Sequence, residues 1–216
     1  MKKTLFLLSL FLLSTPSLAQ VETIGVIGSR NKNFNSTYSK NVSQLASYLA
    51  GQKKEIICEG TGVGLAGAFL KTLHNKKADF KSVSYLPQNE ENCPKNHPCQ
   101  TIDTISTSNF EQQADFFIQS SDALIFLPGG FDVMYVFNYF ETLVQNKKEP
   151  YKPIVFLNTN HYWDRMNEML IEMTRQNILS KEIMETIAFE NKPNNVLKTI
   201  DKLKKNINNI LKKSEQ

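Results

Sequence analysis

From residue 22 onward, short runs of β-branched and aromatic residues alternate with stretches whose apolar positions recur at helical spacing. The runs at 23–27, 55–58, 80–86, 102–105, 123–127, 153–157 and 186–189 predict strands; 102–105 is the weakest, and 123–127 is continuous enough for the centre of a sheet. Between the first two, Tyr38, Val42, Leu45, Ala46, Leu49 and Ala50 share one helical face. A second helix starts near Gly64 and carries Leu65, Phe69 and Leu73, and another, with Glu111 and Gln113, precedes the fifth strand. Phe140, Leu143 and Val144 mark a helix after that strand, Trp163, Met166, Met169, Leu170 and Met173 a further one, and the run from Val196 to Leu211 a final amphipathic helix. Strict strand–helix alternation predicts an α/β fold, a Rossmann-like doubly wound parallel sheet with helices on both faces. No shift in composition divides residues 20–216, which read as one domain.

The first nineteen residues read as a signal peptide. Lys2 and Lys3 give a basic start, residues 5–13 are apolar apart from Ser9, and Ser17-Leu18-Ala19 is a small-residue cleavage site. That run is far short of the ~20 residues that span a bilayer, so the expectation is an exported, periplasmic or secreted protein with no membrane segment after cleavage. The net charge of +4 then falls to +2, too little to argue for a nucleic-acid partner. Cys93 and Cys99 bracket a polar, proline-bearing stretch inside the long loop at 87–100. A disulfide there would contribute up to ~2.5 kcal/mol through loop entropy. Metal binding by Cys93, His97 and Cys99 is the alternative, disfavoured because no fourth ligand lies near. Cys58 reads as a small buried hydrophobe. No metal and no cofactor is expected.

Most of the nine glycines fall directly after predicted strands: Gly28-Ser29-Arg30, Gly60-Thr61-Gly62-Val63-Gly64 and Leu127-Pro128-Gly129-Gly130. In a parallel sheet all three turns lie on the carboxyl edge, where open α/β folds bind ligands. Amides that glycine lets come close, together with helix N-termini, favour a phosphate-bearing small molecule. There is no Gly-Lys-Ser/Thr ending, and the spacing is wrong for the dinucleotide fingerprint, so a mononucleotide or sugar phosphate fits better. The expected contacts are Gly28, Ser29, Arg30, Gly60, Thr61, Gly62, Gln113, Gly129, Gly130, Phe131 and Asp132.

These turns, with Ser121-Asp122-Ala123 ahead of Leu127-Pro128-Gly129-Gly130 and with Tyr162-Trp163-Asp164 after the sixth strand, resemble the LONELY GUY (LOG) family, formerly named possible lysine decarboxylases. The resemblance runs over residues 22 to about 205. It implies a phosphoribohydrolase that cleaves nucleoside 5′-monophosphates through an oxocarbenium-like state, and a homodimer whose contact surface includes the helix after Gly130. The family pattern PGGxGTxxE departs here, however: Asp132 replaces a glycine, Val133 the phosphate-binding threonine and Val136 the catalytic glutamate. Gln113-Ala114 stands where the family has Arg-Lys. Valine can neither bear charge nor accept a proton, and glutamine supplies no fixed cation.

The leading expectation is therefore an exported, LOG-like binding protein for a nucleotide or sugar phosphate, its hydrolytic site lost or remodelled. One alternative is an active phosphoribohydrolase with a shifted carboxylate, Glu59 or Asp132. Another is a non-catalytic partner-binding scaffold. The ordinary role for Asp132 is helix N-cap.

Overall fold

The seven runs form one parallel sheet in the computed structural model, which describes residues 21–87 and 89–214; the expected leader at 1–19 lies outside them. The strands are β1 (Thr23–Ile27), β2 (Glu55–Glu59), β3 (Phe80–Ser84), β4 (Thr104–Ser106), β5 (Ala123–Phe126), β6 (Ile154–Leu157) and β7 (Ile187–Glu190), in the order β4-β3-β2-β1-β5-β6-β7. The helices are α1 (Ser36–Ala50), α2 (Gly64–Asn75), α3 (Phe110–Ser120), α4 (Phe131–Gln145), α5 (Asp164–Arg175), α6 (Lys181–Met184) and α7 (Val196–Ser214). The chain winds outward from β1 to one edge, then returns to β5 and winds to the other. β1 and β5 thus flank the switch point at which such sheets bind ligands. Among the described residues no helix is long and apolar enough to cross a membrane.

Because successive strand residues point to opposite faces, one apolar run feeds two cores. Ile24, Ile56, Ile125 and Val155 pack with Leu45, Phe69 and Ile200 from α1, α2 and α7. Ile27, Ile57, Phe126 and Phe156 pack with Phe117, Val136 and Phe140 from α3 and α4. Burial on both sides explains why these strands read as continuous apolar runs rather than alternating ones.

Two strand boundaries differ from the sequence reading by two residues, the others by one at most. β3 stops at Ser84 because its hydroxyl accepts the Leu86 N–H at 3.1 Å and turns the chain out of the ladder. The fourth strand begins at Thr104 because the Pro98 carbonyl takes the amides of Thr101 and Ile102, closing that segment into a turn.

Asp122 works at the opposite, amino edge. Its carboxylate accepts the amides of Glu22 and Thr23 at 2.8 and 2.9 Å, fixing the start of β1 against β5. Asp122→Ala should cost roughly 1–3 kcal/mol in urea unfolding, whereas Asp122→Asn, which keeps an acceptor, should cost less.

Candidate functional site

The turns after β1, β2 and β5 gather on the carboxyl edge, and Arg30 links them. Its backbone lies against the start of α2, where a Cβ on Gly64 would fall 2.7 Å from the Arg30 Cα. Its guanidinium donates to the Tyr85 hydroxyl at 3.1 Å, lies 5.0 Å from the Tyr85 ring centroid and 5.9 Å from that of Phe110, and comes within 4.0 Å of the Asp132 carboxylate on α4. A cation held over two aromatic faces is preorganised, since packing fixes its long side chain before any ligand arrives.

Beneath it sits Glu59, 6% exposed, taking the Gly28 amide on one side while its Oε2 has no partner. Burial pushes this carboxyl up to about 8, with Arg30 opposing the rise and Asp132 adding to it. Glu59 is therefore mostly protonated at neutral pH, and Arg30⁺ faces Asp132⁻ over a neutral floor. Burial and the neighbouring Glu59 also push the Cys58 thiol far up, so it offers no nucleophile.

Neither helix start at this edge has a side-chain N-cap, although Ser29 O takes the Ala66 amide in the first turn of α2 at 3.1 Å. Val63 caps α2 and Gly130 caps α4, each without a side-chain bond to the first turn. Asp132 is thus not the N-cap expected of it: it lies inside the first turn and accepts the amide of Val133 at 2.9 Å. Gly129 is kept small by Val133, whose Cγ2 would lie 2.1 Å from a Cβ there. Phe131 is 91% exposed beside it.

The remaining expected contacts are also engaged by the chain itself, and of them Gly62 lines the depression at the start of α2. Ser29 is buried, its hydroxyl accepting the Asn31 amide at 3.0 Å. Gln113 is buried and its Oε1 accepts the Tyr85 amide at 3.0 Å, so it holds the end of β3 in place. Gly60, Thr61 and Gly62 serve the chain's own loop. A Cβ on Gly60 would fall 2.4 Å from Thr104 Cγ2; the Thr61 hydroxyl and the Gly62 amide both donate to Asn92 O, at 2.9 and 2.8 Å. A Cβ on Gly62 would meet Cys99 Sγ and Pro94 Cδ, each at 2.7 Å. Cys93 and Cys99 are joined, with Cα atoms 5.8 Å apart, so this loop is pinned over the second glycine turn. Val136, at the family's glutamate position, is 1% exposed in the core under α4.

The sequence reading missed an aromatic rim. The Tyr162 hydroxyl donates to Gly129 O at 2.8 Å, and its ring meets those of Phe34 and Tyr38 at 5.9 Å each. Asn158 fixes that tyrosine by accepting the Trp163 amide and donating to Asp164, both at 2.7 Å. Tyr85, Phe110 and Tyr135 form the other side, with Phe110 5.4 Å from Tyr85 and 5.1 Å from Tyr135. Only sheet order brings these rings together.

A depression of about 300 Å³ opens here between Asn31, Lys32 and Phe34 and the start of α2 at Gly62, Val63, Gly64 and Leu65. Larger hollows of about 410 and 880 Å³ lie at the amino edge around Lys53 and Lys54 and between α1 and residues 192–195. The smaller one carries the chemistry, because it sets a cation, Lys32, beside the start of the long helix α2 on the carboxyl edge. Away from this edge, Glu141 on α4 is 6% exposed with neither carboxylate oxygen partnered, and burial pushes it up to about 8. It borders an apolar groove formed by Phe137, Leu170, Met173, Leu179 and Ile187.

Solved structures share this architecture. The molybdenum cofactor binding protein of Rippkaea orientalis is 19% identical, with a TM-score of 0.59 over 85% of this chain and 97% of that one. The Moco carrier protein of Chlamydomonas reinhardtii is 14% identical, with a TM-score of 0.59 over 85% and 98%. The protein TM1055 is 16% identical, with a TM-score of 0.60 over 83% and 98%. At these identities the likeness establishes the fold. No protein of curated function matches the chain. Residues 67–200 match the family described as possible lysine decarboxylase, the one its motifs resemble, and the chain belongs to that family.

Proposed function

We propose that this protein is a binding member of its family, holding a nucleotide or sugar phosphate at the carboxyl edge without the family's hydrolytic groups. The observation that carries the reading is the convergence on Arg30 of two helix starts that lack a side-chain N-cap, those of α2 and α4. Helix-start amides favour anions, and Arg30 and Lys32 add charge on the same edge. The rim of Phe34, Tyr38 and Tyr162 offers ring faces to a base or sugar. Two structural neighbours are named for the molybdenum cofactor, which is in keeping with a small-molecule role over a bare scaffold. Export under the leader at 1–19 and pairing of two copies through the α4 face belong to the same proposal.

The enzyme alternative draws on one observation: Glu59 is a buried, protonated acid coupled to Arg30 and Asp132. Its Oε2 is sealed from solvent, so it reaches no glycosidic oxygen in this arrangement. The binding reading accounts for the same residue without a movement.

Thermal shift against nucleotides and sugar phosphates tests the proposal. A ligand at a hundred times its Kd stabilises the native state by about 2.7 kcal/mol, and Arg30→Ala should weaken binding at least tenfold. A panel that shifts neither protein refutes it. Incubation with AMP, followed by chromatography for free base, separates the alternatives. No release above a blank, unaffected by Glu59→Gln or Asp132→Asn, leaves binding alone; release abolished by either substitution makes the protein an enzyme.

A further inference from the structure

We propose that the loop closed by Cys93 and Cys99 is, in its reduced form, a site for a thiophilic d¹⁰ cation, Zn(II) or Cu(I), held by Cys93 Sγ, His97 Nδ1 and Cys99 Sγ. The three ligand atoms already lie within 4.8 Å of one another, and His97 Nδ1 is 3.0 Å from Cys99 Sγ. The imidazole is set for this task. Its Nε2 lies 3.2 Å from Gly67 O, and a carbonyl only accepts, so Nε2 carries the proton and Nδ1 keeps its lone pair. That lone pair accepts the Cys99 amide at 3.2 Å and faces the sulfurs. Metal-bound histidines are typically oriented this way, with the far nitrogen donating to a carbonyl.

The backbone suits both forms of the loop. Cα atoms 5.8 Å apart allow a disulfide, and they also allow two sulfurs to stand ~3.8 Å apart, the edge of a tetrahedron with ~2.3 Å bonds. The change is a side-chain rotation about each cysteine. Gly62 backs the cluster closely, and Pro94, which packs there too, also lines the depression beside α2. Three protein ligands leave the fourth position of a zinc ion open to water or to a ligand.

The disulfide itself binds no ion, so a reductant must act first. A dithiol attacks one sulfur, resolves to its own disulfide and leaves two thiols, transferring two electrons and two protons. The cation then displaces those two protons and bonds to two thiolates and the imidazole. The loop would thus be closed by sulfur–sulfur bonding in oxidising surroundings and by metal in reducing ones.

The full chain provides the test. It is reduced with a trialkylphosphine, which takes oxygen from water and leaves both thiols, then desalted without air and titrated with Co(II) and with Zn(II) alone. The expected result is one equivalent bound, with intense sulfur-to-cobalt charge-transfer absorption, and none bound by the oxidised chain. Zinc should also shield Cys93 and Cys99 from alkylation, mapped by mass spectrometry, which reads the site without any variant. His97→Gln should weaken binding at least tenfold and remove the imidazole contribution from the cobalt spectrum. A reduced chain that takes up no ion, folded or not, overturns the proposal. So does equal uptake by the Cys93→Ser, Cys99→Ser double variant, which retains only the buried Cys58.

Discussion

Gly64→Ala is expected to destabilise the protein by roughly 3–5 kcal/mol, the largest effect of any single methyl on the carboxyl edge. The glycine has φ of +64°, a left-handed conformation that costs a side chain about 1 kcal/mol. The added Cβ would also fall 2.3 Å from Ser29 O and 2.6 Å from Arg30 C, both backbone atoms that no rotamer change can move aside. The turn after β1 would have to retreat, carrying Arg30 off Tyr85 and Asp132. Urea unfolding measures the loss, which should appear as a fall in Tm of about 10 °C for a chain of this size. Gly51→Ala is the control: its φ is −83° and its nearest atom would be 3.6 Å away, so it should be close to neutral. Equal effects of the two would mean that the start of α2 is not packed on the Arg30 turn.

Stability should fall as pH rises from 5 to 8.5, opposite to the usual acid sensitivity of paired carboxylates. Glu59 and Glu141 are each pushed by burial from an ordinary 4.5 up to about 8. Between those values the folded protein keeps a proton on each that the unfolded chain has released, so unfolding becomes more favourable with every step up in pH. The stabilisation is complete below 4.5 and lost by about 8. At ~1.36 kcal/mol per pH unit the loss is on the order of 4 kcal/mol for each group. Glu141→Gln, which stays neutral, should therefore match the wild type at pH 5 and exceed it by about 4 kcal/mol at pH 8.5. Parallel curves for the two proteins would show that Glu141 ionises freely in the fold.

What the chain discloses on reading depends on how far apart the causes lie. β5 was legible because Ala123 to Phe126 is apolar throughout, and α7 because Ile200, Leu203, Ile207 and Ile210 fall on one face. Arg30 was legible because it follows β1 directly. The spacing of Gly60 and Gly62 suggests ligand contacts, but the reason for their smallness sits at Pro94, His97, Cys99 and Thr104, which no local spacing reveals. Gln113 was placed near the crevice by counting along the chain, yet its amide oxygen is spent on Tyr85. The cage around Arg30 draws Tyr85 from the end of β3 and Phe110 from the start of α3, and only the sheet order makes them neighbours.

The position of β1 has a consequence for synthesis. One flank of that strand meets β2 soon after it is made, but the other waits for β5, pairing Ile24 with Ala123 about a hundred residues later. During synthesis the first half can therefore assemble a partial sheet with its inner border bare, a template for mispairing until β5 arrives. Arg30 gains its counter-charge, Asp132, only after that late arrival, so the pocket comes into being with a long-range joining of the two halves, and a product truncated before it would own half of a mouth and nothing to close on.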